Sequence, residues 1–356
     1  VGDDLFTVGD ERIALGESRD VFLPVTQSYS GASVALPLRV MRAPAPGPAL
    51  LLTAAVHGDE LNGTGIIREL LLEPPFELVA GTLVLVPVVN VLGFERHSRY
   101  LPDRRDLNRS FPGSKDGSLT SRFAHVVFHR LVSRCDYGID FHTAALRRTN
   151  FPHVRGDLRH PEVKRLARAF GCELVIDAEG PKGSLRRSAC EHGHPTILLE
   201  AGEVWKIEPS VLELGVRGVG NVLLELGMIR GRATRPPYQA RVERSHWVRA
   251  DAGGLLRFFV APGDVVEAGQ PLASCVTLLG REQGVCHAPE AGVVMGLTTL
   301  PVVKPGDPVC HLAYPRRGIE PIRRALRRAA EGLHDRLRDD LATSVAVDEP
   351  EDDDWA

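Results

Sequence analysis

The sequence predicts an α/β protein, a large layered domain on a largely parallel sheet followed by a small all-β segment. Three observations carry this reading. Continuous apolar runs at residues 50–56, 81–90 and 195–200 have the texture of strands buried on both faces of a sheet. Helix-period segments at residues 66–71, 120–133, 161–170 and 209–226 alternate with them, the order expected of a parallel sheet layered with helices. Near Gly231 the pattern changes to short, glycine-bounded strands.

At 356 residues the chain is long enough for one large domain and a smaller one. Its 43% hydrophobic and 25% charged content is that of a soluble globular protein. A net charge of -3 gives no reason to expect nucleic acid or an anionic membrane as partner. No apolar run approaches the roughly 18 residues that span a bilayer, and Val1-Gly-Asp-Asp-Leu-Phe6 lacks signal-peptide features. Six scattered cysteines without a Cys-x-x-Cys pair read as reduced thiols, so a cytoplasmic location is expected.

In order, residues 10–45 hold β-formers broken by Gly and Pro, which predicts two or three strands at an antiparallel edge. Residues 43–48 read as a turn into the strand that climbs to Val56, and Asn62-Gly-Thr-Gly65 leads into the first helix. The strand at 81–90 carries Asn90 at its carboxyl end. Residues 93–117 form a long polar stretch, a length that marks functional or disordered loops. The helix at 120–133 precedes a short strand, Tyr137-Gly-Ile-Asp-Phe-His142, and the strand at 195–200 ends in Glu200. The helix from Pro209 stops at Gly227.

A first domain is therefore expected over residues 1–230, a linker over 231–244 and the small β domain over 245–315. In the last, Pro262-Gly-Asp264 is echoed by Pro305-Gly-Asp307, which suggests two similar hairpin turns. Residues 316–356 read as an Arg-rich amphipathic helix, 319–341, and an acidic disordered tail.

Chemistry-bearing groups stand at four strand ends: His57 with Glu60, Asn90, His142 and Glu200. In a parallel sheet these ends share one edge, where ligands bind. Two imidazoles and a carboxylate leave a fourth zinc position open, as in hydrolytic sites. Asp140, two residues before His142, is within reach to orient it. Glu200 is then an unliganded carboxylate, suited to moving a proton from water to a leaving amine. Taken singly, each has a plainer reading: His142 as a hydrogen-bonded core histidine, Glu200 as a strand-end charge, Arg109 as half of a loop ion pair. His192 and His194 precede a strand instead of ending it, which sets them apart.

Four motifs occur in order: Val56-His-Gly-Asp-Glu-Leu-Asn-Gly63, Asp106-Leu-Asn-Arg-Ser-Phe111, Asp140-Phe-His142 and Leu199-Glu-Ala-Gly202. Together they resemble the succinylglutamate desuccinylase/aspartoacylase family, within the wider zinc carboxypeptidase clan, over roughly residues 45–230. The resemblance implies a three-layer α/β/α zinc-carboxypeptidase-like domain with a mixed sheet. It implies one zinc per chain held by His57, Glu60 and His142, with Glu200 as general base and acid. Asn108 and Arg109 would hold a substrate carboxylate, a task that suits the planar guanidinium fork. The family's carbonyl-polarising arginine is assigned to Arg99, with Arg96, Arg104 and Arg105 as competitors because spacing in this loop departs from aspartoacylase. Asn90-Val91 stands where members often carry Asn-Pro. Gly202-Glu-Val-Trp-Lys-Ile207 matches the substrate-side residues of neither named enzyme, which puts aspartate and glutamate specificity in doubt.

Residues 246–314 resemble the biotinyl and lipoyl carrier fold, built from two hairpin repeats. The exposed hairpin, residues 276–283, lacks the carrier lysine, and no lysine occurs between Lys206 and Lys304. A structural module is expected, packed near the active site or mediating homo-oligomerisation. The function expected is zinc-dependent deacylation of an N-acyl amino acid or related amine. The alternatives are a carboxypeptidase on short peptides and a metal-retaining binding protein without catalysis. An intact Glu200 argues against the last, which has no need of an unliganded base.

Overall fold

The computed structural model describes residues 5–342. A small hairpin, β1 (Phe6–Val8) and β2 (Glu11–Ile13), precedes the antiparallel pair β3 (Ser18–Gln27) and β4 (Ser33–Arg42), whose alternate residues are buried. Then come β5 (Ala45–Ala54), α1 (Asn62–Leu72), β6 (Ala80–Val86), the short α2 (Val91–Phe94), α3 (Leu119–Arg130) and β7 (Tyr137–His142). They are followed by β8 (Arg148–Gly156), α4 (Pro161–Phe170), β9 (Leu174–Asp177), α5 (Leu185–Glu191), β10 (Thr196–Gly202) and α6 (Pro209–Glu225). The C-terminal part adds β11 (Ala240–Arg249), β12 (Gly254–Phe258), β13 (Val265–Val266), β14 (Pro271–Val276) and β15 (Glu282–His287). It ends with β16 (Gly292–Thr298), β17 (Val302–Val303), β18 (Pro308–Pro315), α7 (Glu320–Leu326) and α8 (Leu333–Ala342).

A 12-stranded sheet runs in the order β13-β16-β18-β11-β9-β8-β10-β7-β5-β6-β4-β3. At its middle β10, β7, β5 and β6 are mutually parallel, so their carboxyl ends share one edge. Strands β8 and β4 run against β10 and β6, which makes the sheet mixed. Along β5 the side chains alternate between two cores: Leu50, Leu52 and Ala54 pack with Ile66, Leu166 and Leu214 of α1, α4 and α6. Ala49 and Leu51 pack on the opposite face with Phe123 and Phe128 of α3 and Leu185 of α5. Helices therefore cover both faces, which is why β5 reads as an unbroken apolar run.

Several elements differ from the sequence reading. Strand β5 begins at Ala45, inside the proline-rich stretch read as a turn, with a register irregularity before Ala49. Strand β8, Arg148-Thr-Asn-Phe-Pro-His-Val-Arg-Gly156, has no apolar periodicity because polar side chains on it line a cavity. Residues 240–244, placed in the linker, open β11, and Ala240, Arg241 and Val242 pair parallel with β9. Only Val242 among residues 240–244 is fully buried, so the segment lacks a strand's apolar signature. The single helix expected over 319–341 is two, α7 and α8, with Gly332 between them. The expected acidic tail lies outside the described residues.

The last strands enclose a third core around Leu256, Phe258, Leu272 and Val294, between a four-stranded sheet (β15-β14-β12-β17) and the end of the large one. The Pro-Gly-Asp repeat is one turn used twice. Asp264 accepts from the Ala261 N–H at 2.7 Å, and Asp307 from the Lys304 N–H at 3.0 Å. The intervening glycines have φ +99° and +89°, which a side chain would disfavour.

Helix α8 is tied to the central sheet by His334 Nδ1, 2.8 Å from Glu173 Oε2. Burial opposes the imidazolium, but the Glu173 carboxylate prevails and raises the His334 pKa. The pair thus contributes full stability below the unfolded histidine pKa of ~6.5 and loses it as pH rises through the higher folded value. His334→Gln should lower Tm by ~2–4 °C at pH ~5.5 and by less at pH ~9. A gap that widens with pH would contradict this pairing.

Candidate metal centre and catalytic pocket

Strand β5 delivers His57 through a tight turn. Ala55 has φ +48°, an uncommon left-handed conformation for a residue with a side chain. Its carbonyl accepts from the Asn90 N–H at 2.9 Å, which fastens the ends of β5 and β6 together. Gly58 passes so close to Gly93 that a Cβ there would collide with backbone. Asn90 caps α2 by accepting from the Gly93 N–H at 2.8 Å, and its Nδ2 donates to the Arg99 carbonyl at 3.3 Å. Asn90, expected at the end of a strand over 81–90, thus lies four residues past β6, which stops at Val86, and anchors the long loop as a helix cap.

His57, Glu60 and His142 are 3%, 2% and 4% exposed, and each offers a ligand atom within 4.8 Å of the others. His57 Nδ1 lies 2.6 Å from Glu60 Oε1, and His142 Nδ1 lies 2.8 Å from Glu60 Oε2. The outer ring nitrogens meet other carboxylates: His142 Nε2 stands 2.8 Å from Asp140 Oδ2, and His57 Nε2 3.2 Å from Asp106 Oδ1. Asp140 is itself fixed by the Thr53 hydroxyl at 2.7 Å, and Glu60 Oε2 also accepts from the Thr143 N–H at 3.1 Å.

Burial works against an imidazolium at either position. The surrounding carboxylates outweigh it, Glu60 and Asp106 at His57 and Asp140 and Glu60 at His142, and both pKa values rise. Burial likewise opposes the Glu60 charge, but the two rings hold its carboxyl far below the usual range. A divalent cation displaces the protons shared in such a cluster. Two imidazole nitrogens and a carboxylate, with outer atoms oriented by further carboxylates, fit zinc with one position open. Protein purified with zinc should hold about one ion per chain, and His142→Ala should lose most of it by elemental analysis. Full stoichiometry in that variant would remove His142 from the ligand set.

Of the four arginines considered in the long loop, Arg99 is the one that lines the cavity; Arg96, Arg104 and Arg105 are exposed. Arg99 donates to Asp106 Oδ2 from Nη2 at 2.9 Å and from Nε at 3.2 Å, and its Nη1 stands 3.4 Å from Glu60 Oε1. Asp106 also accepts from the Asn108 N–H at 2.8 Å, opening the 3-10 turn Leu107–Arg109. Burial opposes the Asp106 charge, but His57 and Arg99 hold its carboxyl far below the usual range. Asn108 is buried, and its Oδ1 accepts from the Leu185 N–H at 2.8 Å. Arg109 is exposed and donates from Nη1 to the Asn108 carbonyl at 2.7 Å. Glu200 pairs in register with His142 on the adjacent strand. Its Oε2 accepts from Asn150 Nδ2 at 3.2 Å, and Arg155 Nε stands 3.8 Å from its Oε1.

One cavity of about 550 Å³ brings together His57, Glu60, Arg99, Asn108, Arg109, His142 and Glu200; Asp140 lies fully buried beside His142. A separate cavity of about 610 Å³, lined by Lys164, Arg168, Tyr238 and Arg317, has no carboxylate or imidazole in its wall and no metal-site chemistry. The sequence matches the model of the succinylglutamate desuccinylase/aspartoacylase catalytic domain over residues 46–226. The chain belongs to the succinylglutamate desuccinylase/aspartoacylase family.

Within the curated family relatives, it is 31% identical over 268 residues to the N-alpha-acetyl-L-2,4-diaminobutyric acid deacetylase of Halomonas elongata, spanning 70% of this chain and 77% of that protein. The product-bound ectoine utilization protein EutE (DoeB) from Ruegeria pomeroyi is similar at a TM-score of 0.73 and 26% identity, covering 83% of this chain and 95% of that chain. A succinylglutamate desuccinylase/aspartoacylase structure from Rhodobacter sphaeroides shares the fold, with TM-score 0.71 and 23% identity over 83% of this chain and 95% of its own. All the cavity residues expected from sequence fall inside the family-matched region. Sequence reasoning missed Arg148, Asn150 and Arg155 on β8, Arg186 on α5, and Trp247 and His311, which lie beyond the match. Asp106 had a signal, as the first residue of its motif; the others had none.

Proposed function

We propose that the protein is a zinc-dependent amidohydrolase that removes the acyl group from an N-acylated amino acid or related amine. The observation that carries this reading is the His57, Glu60 and His142 cluster with Glu200 facing the same cavity from the neighbouring strand end. The deacetylase named among its relatives supports it. His57, Glu60 and His142 would hold the zinc, which when bound would supply Lewis-acid chemistry toward a carbonyl and a nucleophilic water near neutral pH.

The chain's own groups do the remainder. Glu200 takes the proton of the attacking water and returns it to the leaving nitrogen. Asn150 steadies the Glu200 carboxylate through Oε2. Arg99, pinned by Asp106, offers Nη1 to the oxygen on which negative charge develops. Asn108 and Arg109 hold a substrate carboxylate, the first through its amide nitrogen and the second through its guanidinium. Asp140 orients His142. Residues 245–315 are a carrier-like structural module without a carrier lysine; the repeated Pro-Gly-Asp turns support that reading. All six cysteines are unpaired, which supports a reducing, cytoplasmic setting.

The test is zinc-loaded protein assayed on a panel of N-acyl amino acids, N-acetyl-diaminobutyrate among them, alongside dipeptides. Hydrolysis of N-acyl amino acids is expected. Turnover of dipeptides alone would move the reading to a peptidase, and zinc retention with no turnover would move it to a binding protein.

A further inference from the structure

The cavity of about 610 Å³ lies apart from the metal centre and shares no lining residue with the cavity there. Its wall comes from α4, from the segment that opens β11, and from the turn between β18 and α7. Lys164 and Arg168 stand one helical turn apart on α4, so their side chains leave the same face. Arg241 enters from β11, and Arg316 and Arg317 from the turn. No carboxylate belongs to this wall.

Backbone hydrogen bonds fix these pieces together. The Arg316 N–H donates to the Arg241 carbonyl at 2.9 Å, which sets the turn against the start of β11. The turn closes with the Gly318 N–H on the Pro315 carbonyl at 2.9 Å, and Gly318 has φ +71°, where a side chain would be disfavoured. Gln239 Nε2 donates to the Cys172 carbonyl at 3.1 Å, joining the approach to β11 to the chain that leaves α4.

Two of the five cations are answered by carboxylates from outside the wall. Arg241 pairs with Asp177 and with Glu243 at 2.9 Å, and Arg316 stands 3.6 Å from Glu243. Even so, Arg241 Nε is buried with no hydrogen-bond partner among the described residues. Lys164, Arg168 and Arg317 make no ion pair among the described residues. Three cations on one cavity without counter-charges repel one another, and an anion carrying several charges relieves that repulsion. A phosphate group does so best, because it offers oxygens to two guanidinium forks and an ammonium at once.

The rest of the lining is largely apolar. Val175, Tyr238 and Ile322 are all buried, and Leu158 stands beside them in the wall. The volume falls within the roughly 300–1,000 Å³ of small-molecule sites. A matching ligand therefore has a phosphate end and an apolar or aromatic body.

We propose that this cavity binds a phosphate ester of nucleotide size, with its phosphates on Lys164, Arg168 and Arg317 and its body against Tyr238 and Ile322. The site is separate from the deacylase chemistry and stands whether or not that reading does.

The test titrates zinc-loaded protein calorimetrically with ADP, UDP, adenosine and inorganic pyrophosphate. ADP or UDP should bind with a Kd of roughly 10–500 μM, and adenosine and pyrophosphate several-fold more weakly. Added salt should weaken the nucleotide, since exposed charges hold it. Arg168→Gln and Arg317→Gln should each cost roughly 2- to 10-fold in affinity, and the double variant more. The unliganded Tm of these variants should match wild type, because both side chains are exposed. Arg109→Ala, in the other cavity, should leave nucleotide binding unchanged. No binding of either nucleotide at ~5 mM would overturn the site, as would unchanged affinity in the double variant. Pyrophosphate binding as tightly as the nucleotides would remove the apolar body from the proposal. Binding lost in Arg109→Ala and kept in the double variant would move the nucleotide to the metal cavity and overturn the assignment. An oligothymidylate held more tightly than either nucleotide would overturn the small ligand in favour of a nucleic acid.

Discussion

Glu200→Gln should keep its zinc and lose activity, with kcat falling by roughly 10²–10⁴. Glutamine preserves the shape and the acceptor oxygen that Asn150 meets at 3.2 Å, so the cavity wall should persist. What disappears is the basic oxygen that accepts a proton. Glu200 lies outside the compact group of potential ligands, which comprises His57, Glu60 and His142. Its loss should therefore leave metal content unchanged, as measured by elemental analysis beside steady-state kinetics. Metal lost in step with activity would make Glu200 a ligand and overturn the proposed division of labour. Unchanged kcat would remove it from the proton path.

Much of the constellation was legible because chain order and sheet order cooperate. Strands β5, β7 and β10 are consecutive neighbours in the sheet, and each apolar run leads into a polar group near its carboxyl end: His57 three residues past β5, His142 closing β7 and Glu200 two residues before the end of β10. A reader who assumes a parallel sheet gathers His57, His142 and Glu200 at one edge without knowing any distance. The long loop was legible as a motif but not as a network. Nothing in its spacing says that Asp106 joins Arg99 to His57.

The other wall was hidden for a physical reason. Strand β8 presents Arg148, Asn150 and Arg155 to a cavity lined by charged groups, so it lacks the alternation by which half-buried strands are recognised. Trp247 and His311 meet through a register between distant strands that local periodicity does not encode. The same holds for the start of β11, where one buried valine is the whole inward-facing signal.

Arg109→Ala should reduce kcat/KM roughly 10- to 150-fold on an N-acyl amino acid with a free α-carboxylate, the effect of losing a charge-assisted pair of about 1.5–3 kcal/mol. The guanidinium is exposed at the cavity, and one of its nitrogens is turned inward onto the Asn108 carbonyl at 2.7 Å. Asn108 is buried with its oxygen engaged by the Leu185 N–H, so its amide nitrogen is the group left to meet a ligand. Two donors on adjacent residues of one 3-10 turn suit the two oxygens of one carboxylate. Converting the α-carboxylate to an amide should therefore shrink the effect of Arg109→Ala, and Arg109→Lys should recover only part of it because a point charge does not reproduce the fork. If both residues share that carboxylate, the Asn108→Ala and Arg109→Ala losses should fall short of additivity. An Arg109 that merely pins the loop predicts equal losses on acid and amide and a lower Tm. That pattern would take the residue out of the binding site and place the α-carboxylate on Arg186 or Arg155, further cations of the same wall.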